Sequence, residues 1–406
     1  MVGLILLVAL FAVAAPEVQV STVDGRVING DLQQLSQDQI TIKTAREKEV
    51  TLPVDQLLEI QLLNAKVANP TDKPTAWIEL VDGSKLTATE FSVQGNQATL
   101  TLESDKTATI STASIHKVKF TPPDKSSIST WPNDASEAQG DLLVVQKKGQ
   151  IDFMEGSIGN IDENHVIIKV DGESYPVNRS KVDGLVYYHK ATDKLPEPLC
   201  VVETSAGWRL KAKELSYVAS NSTYPVGRFE AITVSGDKFF FLTGDEVSKI
   251  DFSAGKVAYL SDLEPASIQW TPYLDFGDAA PALADYYAPR RDEGREHQPL
   301  QLAGKKYDKG LSLYSRTVID YRVPAGMKKF KATTGIDDAV REAGNVRLTI
   351  SADGKKLFDQ SITGKDAPAE LDLDLAGAKR LSILVDYGDQ FDAGDYLDLA
   401  EARMLK

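Results

Sequence analysis

From Tyr307 the chain reads YDKGLSLYSRTVIDYRV (307–323), then FKATTGIDDAV (330–340), VRLTISADGKKLF (346–358) and KRLSILVDYGDQFDAGDYLDLAEARML (379–405). Apolar and polar residues alternate through 318–323, 346–351, 371–375 and 381–385. That period of two belongs to strands that bury one face. Turn residues punctuate the runs: Asp353-Gly354 reads as a hairpin turn, and Gly335-Ile336-Asp337-Asp338 falls between two strands. The segment therefore reads as a two-sheet antiparallel sandwich with almost no helix.

Working outward, 406 residues exceed one ordinary domain. The region before the sandwich is repetitive. LLEIQL (57–62), IHKVKF (115–120), VDGLVY (182–187) and VSKIDF (247–252) close four stretches in a similar alternation. Aligning Ile60, Val118, Val186 and Ile250 gives a period near sixty residues and expects all four side chains to point into the core from equivalent strands. Three stretches also open alike: Asp24-Gly25 leads to VINGDL, Asp82-Gly83 to KLTATEF and Lys148-Gly149 to IDFMEGSI. Each unit would hold four or five short strands, as a small bent barrel of the Sm-like sort or as paired hairpins sharing one core. The fourth unit looks degenerate, because SNSTYPVGR (220–228) interrupts it.

The expected organisation is a signal peptide at 1–14, β-repeats one and two at 15–121, and a Pro/Ser/Asp-rich linker at 122–141. Repeats three and four follow at 142–255, then the sandwich module at 256–406. Met1–Ala15 is an apolar run too short to span a bilayer, and Ala12-Val13-Ala14 has the form of a signal-peptidase site. The n-region lacks Lys and Arg, so an uncleaved anchor is the alternative. Cleavage would leave no membrane span and place the protein in the periplasm or cell envelope. The single cysteine, Cys200, cannot form an internal disulfide and reads as a small buried apolar residue.

A formal net charge of −14 argues against nucleic acid as a partner, since phosphate binding needs clustered cations. Catalytic signatures are also missing. The four histidines stand singly without zinc-site spacing, and neither a G-x-S-x-G elbow nor a P-loop occurs. The chain reads as a non-enzyme.

The ordered motifs of the last third resemble the NPCBM family, also called NEW2, a jelly-roll sandwich of the galactose-binding-like kind. Lys309-Gly310-Leu311 with Tyr314-Ser315-Arg316-Thr317, then Gly335-Ile336-Asp337-Asp338, then Asp353-Gly354, and finally Asp395-Tyr396-Leu397-Asp398-Leu399-Ala400 follow the family order. Tyr314 and Tyr396 stand where the family usually has histidine, and Leu399 where it has tryptophan. The resemblance implies a glycan or envelope polysaccharide as ligand. Its candidate residues are Tyr314, Arg316, Asp337, Asp338, Tyr396 and Asp398. Tyr314, Arg316, Tyr396 and Asp398 are expected to meet at one end of the sandwich, with Asp398 accepting from a tyrosine hydroxyl or from Arg316.

No cofactor is expected beyond a structural calcium. Asp389, Asp392 and Asp395 lie at third-residue spacing in a loop, and hard oxygen ligands suit that ion. Sandwiches of the resembled class often hold one. A solvated acidic loop is the alternative. Tyr286, Tyr287, Arg290 and Arg291 could likewise grip a sugar, or pair with Asp292, Glu293 and Glu296 as an ordinary charged loop. The function this supports is noncatalytic carbohydrate recognition by an exported envelope protein. An envelope scaffold binding proteins is the rival, and an orphan hydrolase has the least support.

Overall fold

The computed structural model describes residues 15–65, 73–102, 106–122, 140–147, 150–190, 195–220, 227–242, 246–274, 277, 280–389 and 391–406. The expected signal peptide, nearly all of the linker and the Lys148-Gly149 turn lie outside the described residues. The chain divides into two compact units, Met1–Ala254 and Gly255–Lys406.

In the first unit the repeats follow one path, with the second strand of repeat two broken at Thr89 into Lys85–Ala88 and Glu90–Gln94. The first repeat comprises Glu17–Thr22, Val27–Leu35, Gln39–Lys43, Glu49–Pro53 and Leu57–Leu62, with a single 3-10 turn at Val54–Gln56 before the last strand. The strands pair antiparallel in succession, and the fifth returns to the first. Alternation explains each strand locally: Ile40 and Ile42 are fully buried, while Gln39, Thr41 and Lys43 face outward to differing degrees. The long second strand pairs with the first strand through residues 27–31 and with the third through 31–35, with a register shift at Leu32/Gln34. A strand that changes partner through a bulge bends sharply, which favours the bent-barrel reading over paired hairpins sharing one core.

The fourth repeat is complete. Cys200–Thr204, Arg209–Val218, Arg228–Thr233, Lys238–Leu242 and Val247–Asp251 follow the same pairing. The expected degeneracy came from the insertion at 221–226, which falls between its second and third strands.

The repeats join through their last strands. Ile60 lies opposite Ile250, linking repeats one and four, and Val118 lies opposite Leu185, linking repeats two and three. One continuous apolar cluster draws residues from all four repeats. The segment 122–141 therefore does not divide the region into two separate cores.

This register also corrects the repeat alignment. Leu185, not Val186, is the counterpart of Val118. Leu185 belongs to the main cluster, whereas Val186 packs with Val144 and Leu142 on the opposite face. A one-residue slip sends a strand's side chains to the other face. Here Val182–Val186 is buried along its whole length, so exposure does not mark which face is which.

The second unit is a sandwich of two antiparallel sheets. One runs Arg290–Arg291, Gly310–Tyr314, Tyr396–Leu405, Lys329–Ile336 and Ala369–Asp374, and Val257–Tyr259 pairs with the end of the third of these. The other runs Ser267–Trp270, Thr317–Arg322, Arg380–Tyr387, Asn345–Ala352 and Lys355–Thr363. Tyr321, Phe330, Leu348, Ile383 and Leu399 help fill the space between them. A seven-residue helix, Ala280–Tyr286, is the α-helix among the described residues of this unit.

The corrected register predicts unequal effects of neighbouring truncations. Leu185→Ala should cost about 2–5 kcal/mol, the range for a leucine deleted from a packed core. Val186→Ala should cost less, because its satellite cluster is small. Denaturant midpoints would compare the two, and a larger loss for Val186→Ala would contradict the register.

Candidate functional site

The site is organised by the pairing of Gly310–Tyr314 with Tyr396–Leu405. Leu311 opposite Leu399 and Leu313 opposite Leu397 turn into the sandwich core, so Ser312 opposite Asp398 and Tyr314 opposite Tyr396 turn to the outer face. Gly335 lies beside Asp398 on the other side. A short hairpin, Leu300–Leu302 with Lys305–Tyr307, roofs this face, and Leu300, Leu302 and Tyr307 pack with Ala400. The roof comes close because glycine lies under it. A Cβ at Gly310 would meet Leu399 O at 2.5 Å and Leu300 Cδ1 at 2.9 Å, and the φ of 147° at Gly310 would itself strain a larger residue.

Beneath the roof lie the acidic residues of the signature motifs. Asp398 is fully buried, beside the Ser312 hydroxyl, the Asp337 carboxyl and the Gln301 amide. None of these contacts is a well-formed hydrogen bond. Burial, and then the Asp337 charge, push the Asp398 carboxyl well above the usual carboxylate range. Burial also raises Asp337, whose carboxylate accepts from the backbone N–H of Ala339 at 2.8 Å and from that of Arg295. Asp338 accepts from the backbone N–H groups of Ala303 at 2.8 Å and Gly304 at 2.7 Å, at the turn of the roof hairpin. The Gly335–Asp338 turn thus clamps the roof. Asp337, Asp338 and Asp398, expected to face a ligand, are engaged in holding the fold.

The tyrosines do meet. Trp270 stacks on Tyr287 with ring centroids 5.1 Å apart, Tyr287 on Tyr314 at 4.2 Å, and Tyr314 leans on Tyr396 at 4.7 Å. The Arg295 guanidinium lies 5.4 Å from the Tyr396 ring centre. Tyr314 and Tyr396 are 7% and 8% exposed, so they form a floor, and burial pushes the Tyr396 hydroxyl up to about 12 and raises that of Tyr314 further. Tyr286, packed edge-on against Tyr287 at 4.9 Å, is 51% exposed.

A second aromatic group sits alongside. Tyr273 meets Tyr387 and Phe391 edge-on at 5.1 and 5.2 Å, with Tyr273 42% and Phe391 65% exposed. Hydrogen bonds tie the two groups together: Tyr314 OH donates to the Asp392 carbonyl at 2.7 Å, Trp270 Nε1 to the Ser315 carbonyl at 2.9 Å, and Tyr387 OH to the Thr271 carbonyl at 2.5 Å. Arg316 does not reach Asp398. Its Nε donates to Asp386 Oδ1 at 3.1 Å, with both side chains about one-third exposed.

The expected calcium triad is not assembled. Asp395 is turned inward, accepting from the Ser315 hydroxyl at 2.8 Å and the Asn345 backbone N–H at 3.2 Å, and burial raises it to about 6. Asp392 contributes its carbonyl to Tyr314, and Asp389 is exposed. Among the described residues no group of three or more His, Cys, Asp or Glu side chains could hold a metal ion. Third-residue spacing in an irregular loop does not point side chains to one centre.

The rim residues Tyr273, Tyr387 and Phe391 carried no motif, and only the density of aromatics at strand ends marks them. In the cluster weighed at 286–291, Arg290 lies 3.6 Å from Glu293 and Arg291 3.2 Å from Glu264, so both arginines are paired. Among the described residues of the first unit, open concavities of about 280 and 440 Å³ share Tyr188, and the larger is also lined by Asp141 and Glu155.

Residues 256–405 match the NPCBM/NEW2 domain. The C-terminal third thus resembles that family, and its all-β sandwich agrees with the resemblance. A Renibacterium salmoninarum protein provisionally named endo-alpha-N-acetylgalactosaminidase is 29% identical over 153 residues, 37% of this chain and 10% of that protein. The chain spans about a tenth of that relative's length. Among solved structures, a CBM51 from Clostridium perfringens GH95 in complex with methyl-galactose is 20% identical with a TM-score of 0.32, covering 36% of this chain and 99% of that one. The CBM51-2 and INT domains of Clostridium perfringens ZmpB, in complex with GlcNAc, are 17% identical with a TM-score of 0.32, over 49% and 42%.

The raised Asp395 sets a pH dependence. Its folded value of about 6 exceeds the ordinary 3.8, so between these values the unfolded chain releases a proton that the folded one keeps. The stability of the module should fall as pH rises from about 4 to about 6. Melting temperatures across that range should show the decline, and Asp395→Asn should make it shallower, the remainder coming from the raised Asp337 and Asp398. A rise through the same window would contradict the assignment.

Proposed function

We propose that the C-terminal module binds glycan without catalysing its cleavage, at the aromatic end built on the Tyr314–Tyr396 floor. The observation that carries this reading is the set of exposed rings, Tyr273, Tyr286 and Phe391, together with the Arg316–Asp386 pair, about one-third exposed. Sugars need a flat apolar face for the C–H side of the ring and a few planar polar groups for the hydroxyls. The match of residues 256–405 to a carbohydrate-binding module family supports the same ligand class. Two carboxyls are adjacent here, as a glycosidase needs, but Asp337 and Asp398 lie beneath the roof and are 5% and 0% exposed. The pair has no access to a glycosidic bond.

We place this activity outside the cytoplasm, in the periplasm or cell envelope, from the leader-like sequence at 1–14. The four β-repeats then serve as a carrier for the module. Methyl galactoside and N-acetylglucosamine, the sugars in the complexes of the similar modules, are the first probes to include on a glycan array.

The full chain should retain a defined subset of neutral glycans on such an array. Tyr286→Ala should lower retention about tenfold or more, equivalent to about 1.4 kcal/mol, with an unchanged melting temperature because its ring is half exposed. Tyr314→Ala should instead cost about 3 kcal/mol or more of stability, since it removes a buried ring from a stack. A folded chain that retains no saccharide would refute the reading.

A further inference from the structure

We infer that the aromatic end takes a neutral oligosaccharide spanning at least two sugar residues, and does not simply cup one terminal sugar. This inference rests on the glycan-binding reading above. The exposed rings fall into two separate groups. Tyr286 with the half-buried Tyr287 and Trp270 forms one, and Tyr273, Tyr387 and Phe391 form the other.

The two groups are neighbours by construction. Trp270 and Tyr273 lie three residues apart on one segment, a reach of roughly 10 Å at most. Tyr314 belongs to the first stack, and its hydroxyl is bonded to the carbonyl of Asp392, the residue next to Phe391. The Arg316–Asp386 pair lies beside the second group, where both charges reach the Tyr387 hydroxyl. Two ring platforms with a planar donor–acceptor pair close by suit successive sugar rings whose hydroxyls contact the pair.

The charge balance selects a neutral chain. Arg290, Arg291 and Arg316 are each paired with a carboxylate, from Glu293, Glu264 and Asp386, and the Arg295 guanidinium is laid over the buried Tyr396 ring. An acidic sugar would have to displace one of these partners and would meet the carboxylates of Asp386 and Asp392 nearby.

Titration calorimetry of the full chain with glucose-, galactose- and N-acetylglucosamine-based mono-, di- and trisaccharides tests this directly. Affinity should rise about tenfold or more from the monosaccharide to the di- or trisaccharide of the series that binds. In Phe391→Ala that ratio should fall to about one while the melting temperature is kept, because the Phe391 ring is 65% exposed. Equal affinity for every length, or an unchanged ratio in Phe391→Ala, would overturn the two-residue inference while leaving glycan binding in place. If no member of any series binds the folded chain, both the inference and the reading beneath it are overturned.

Discussion

A carboxyl group with no exposure, held in the middle of a sheet's outer face, is the constraint on which the C-terminal module depends. Asp398 sits where three strands run side by side, opposite Ser312 and beside Gly335. Leaving that group ionised and dry would be prohibitive, so it must keep its proton or be covered by donors. The roof hairpin supplies the cover. Its backbone amides are gripped by Asp338, and the Arg295 amide just before it by Asp337. The segment leading into the roof carries Tyr286, Tyr287 and Arg290, and so the buried acid and the exposed rings belong to one device.

The division of labour follows from register. Alternation along Gly310–Tyr314 and Tyr396–Leu405 sends leucines to the core and sends Ser312, Asp398 and the two tyrosines to the other face. Ring stacking then propagates from the floor to the surface through Tyr287 and Trp270. Stacked, offset rings of this kind add about 0.5–1.5 kcal/mol per pair beyond their burial. A rigid floor reduces the ordering cost of holding rim side chains in place for a ligand. In the first unit the same logic of paired strands operates. Last strands join in pairs, and each repeat completes its core with a neighbour.

Much of this was legible in the residues. The period-two runs located the sandwich strands, and the Gly-Asp punctuation located their turns. The kinship of the last third was readable from ordered motifs, and the meeting of Tyr314 with Tyr396 followed from it. What failed did so for physical reasons. Val186 is an easy misreading for Leu185 because the strand is buried on both faces and a register shift between Val144 and Val145 breaks its strict alternation. Asp337, Asp338 and Asp398 looked like ligand groups because a shared motif does not distinguish an acid that meets solvent from one that caps a backbone amide, as Asp337 and Asp338 do, or one shut beneath a hairpin, as Asp398 is. The spacing of Asp389, Asp392 and Asp395 suggested a shared ion, yet Asp395 turns inward toward Ser315. The aromatic stack drew rings from 270, 287, 314 and 396, a convergence that only tertiary pairing creates.

The account stands most directly on the protonation of Asp398 beneath the roof. A pH titration of its carboxyl carbon by NMR, in the full chain, measures that state without perturbing the fold. The expected result is a carboxyl that titrates well above the ordinary aspartate range, because burial and the Asp337 charge both oppose its ionisation. A carboxylate that titrates near the ordinary aspartate value of about 3.9 would contradict it. Asp398 would then be in contact with water, and the roof that organises the aromatic end would not be closed.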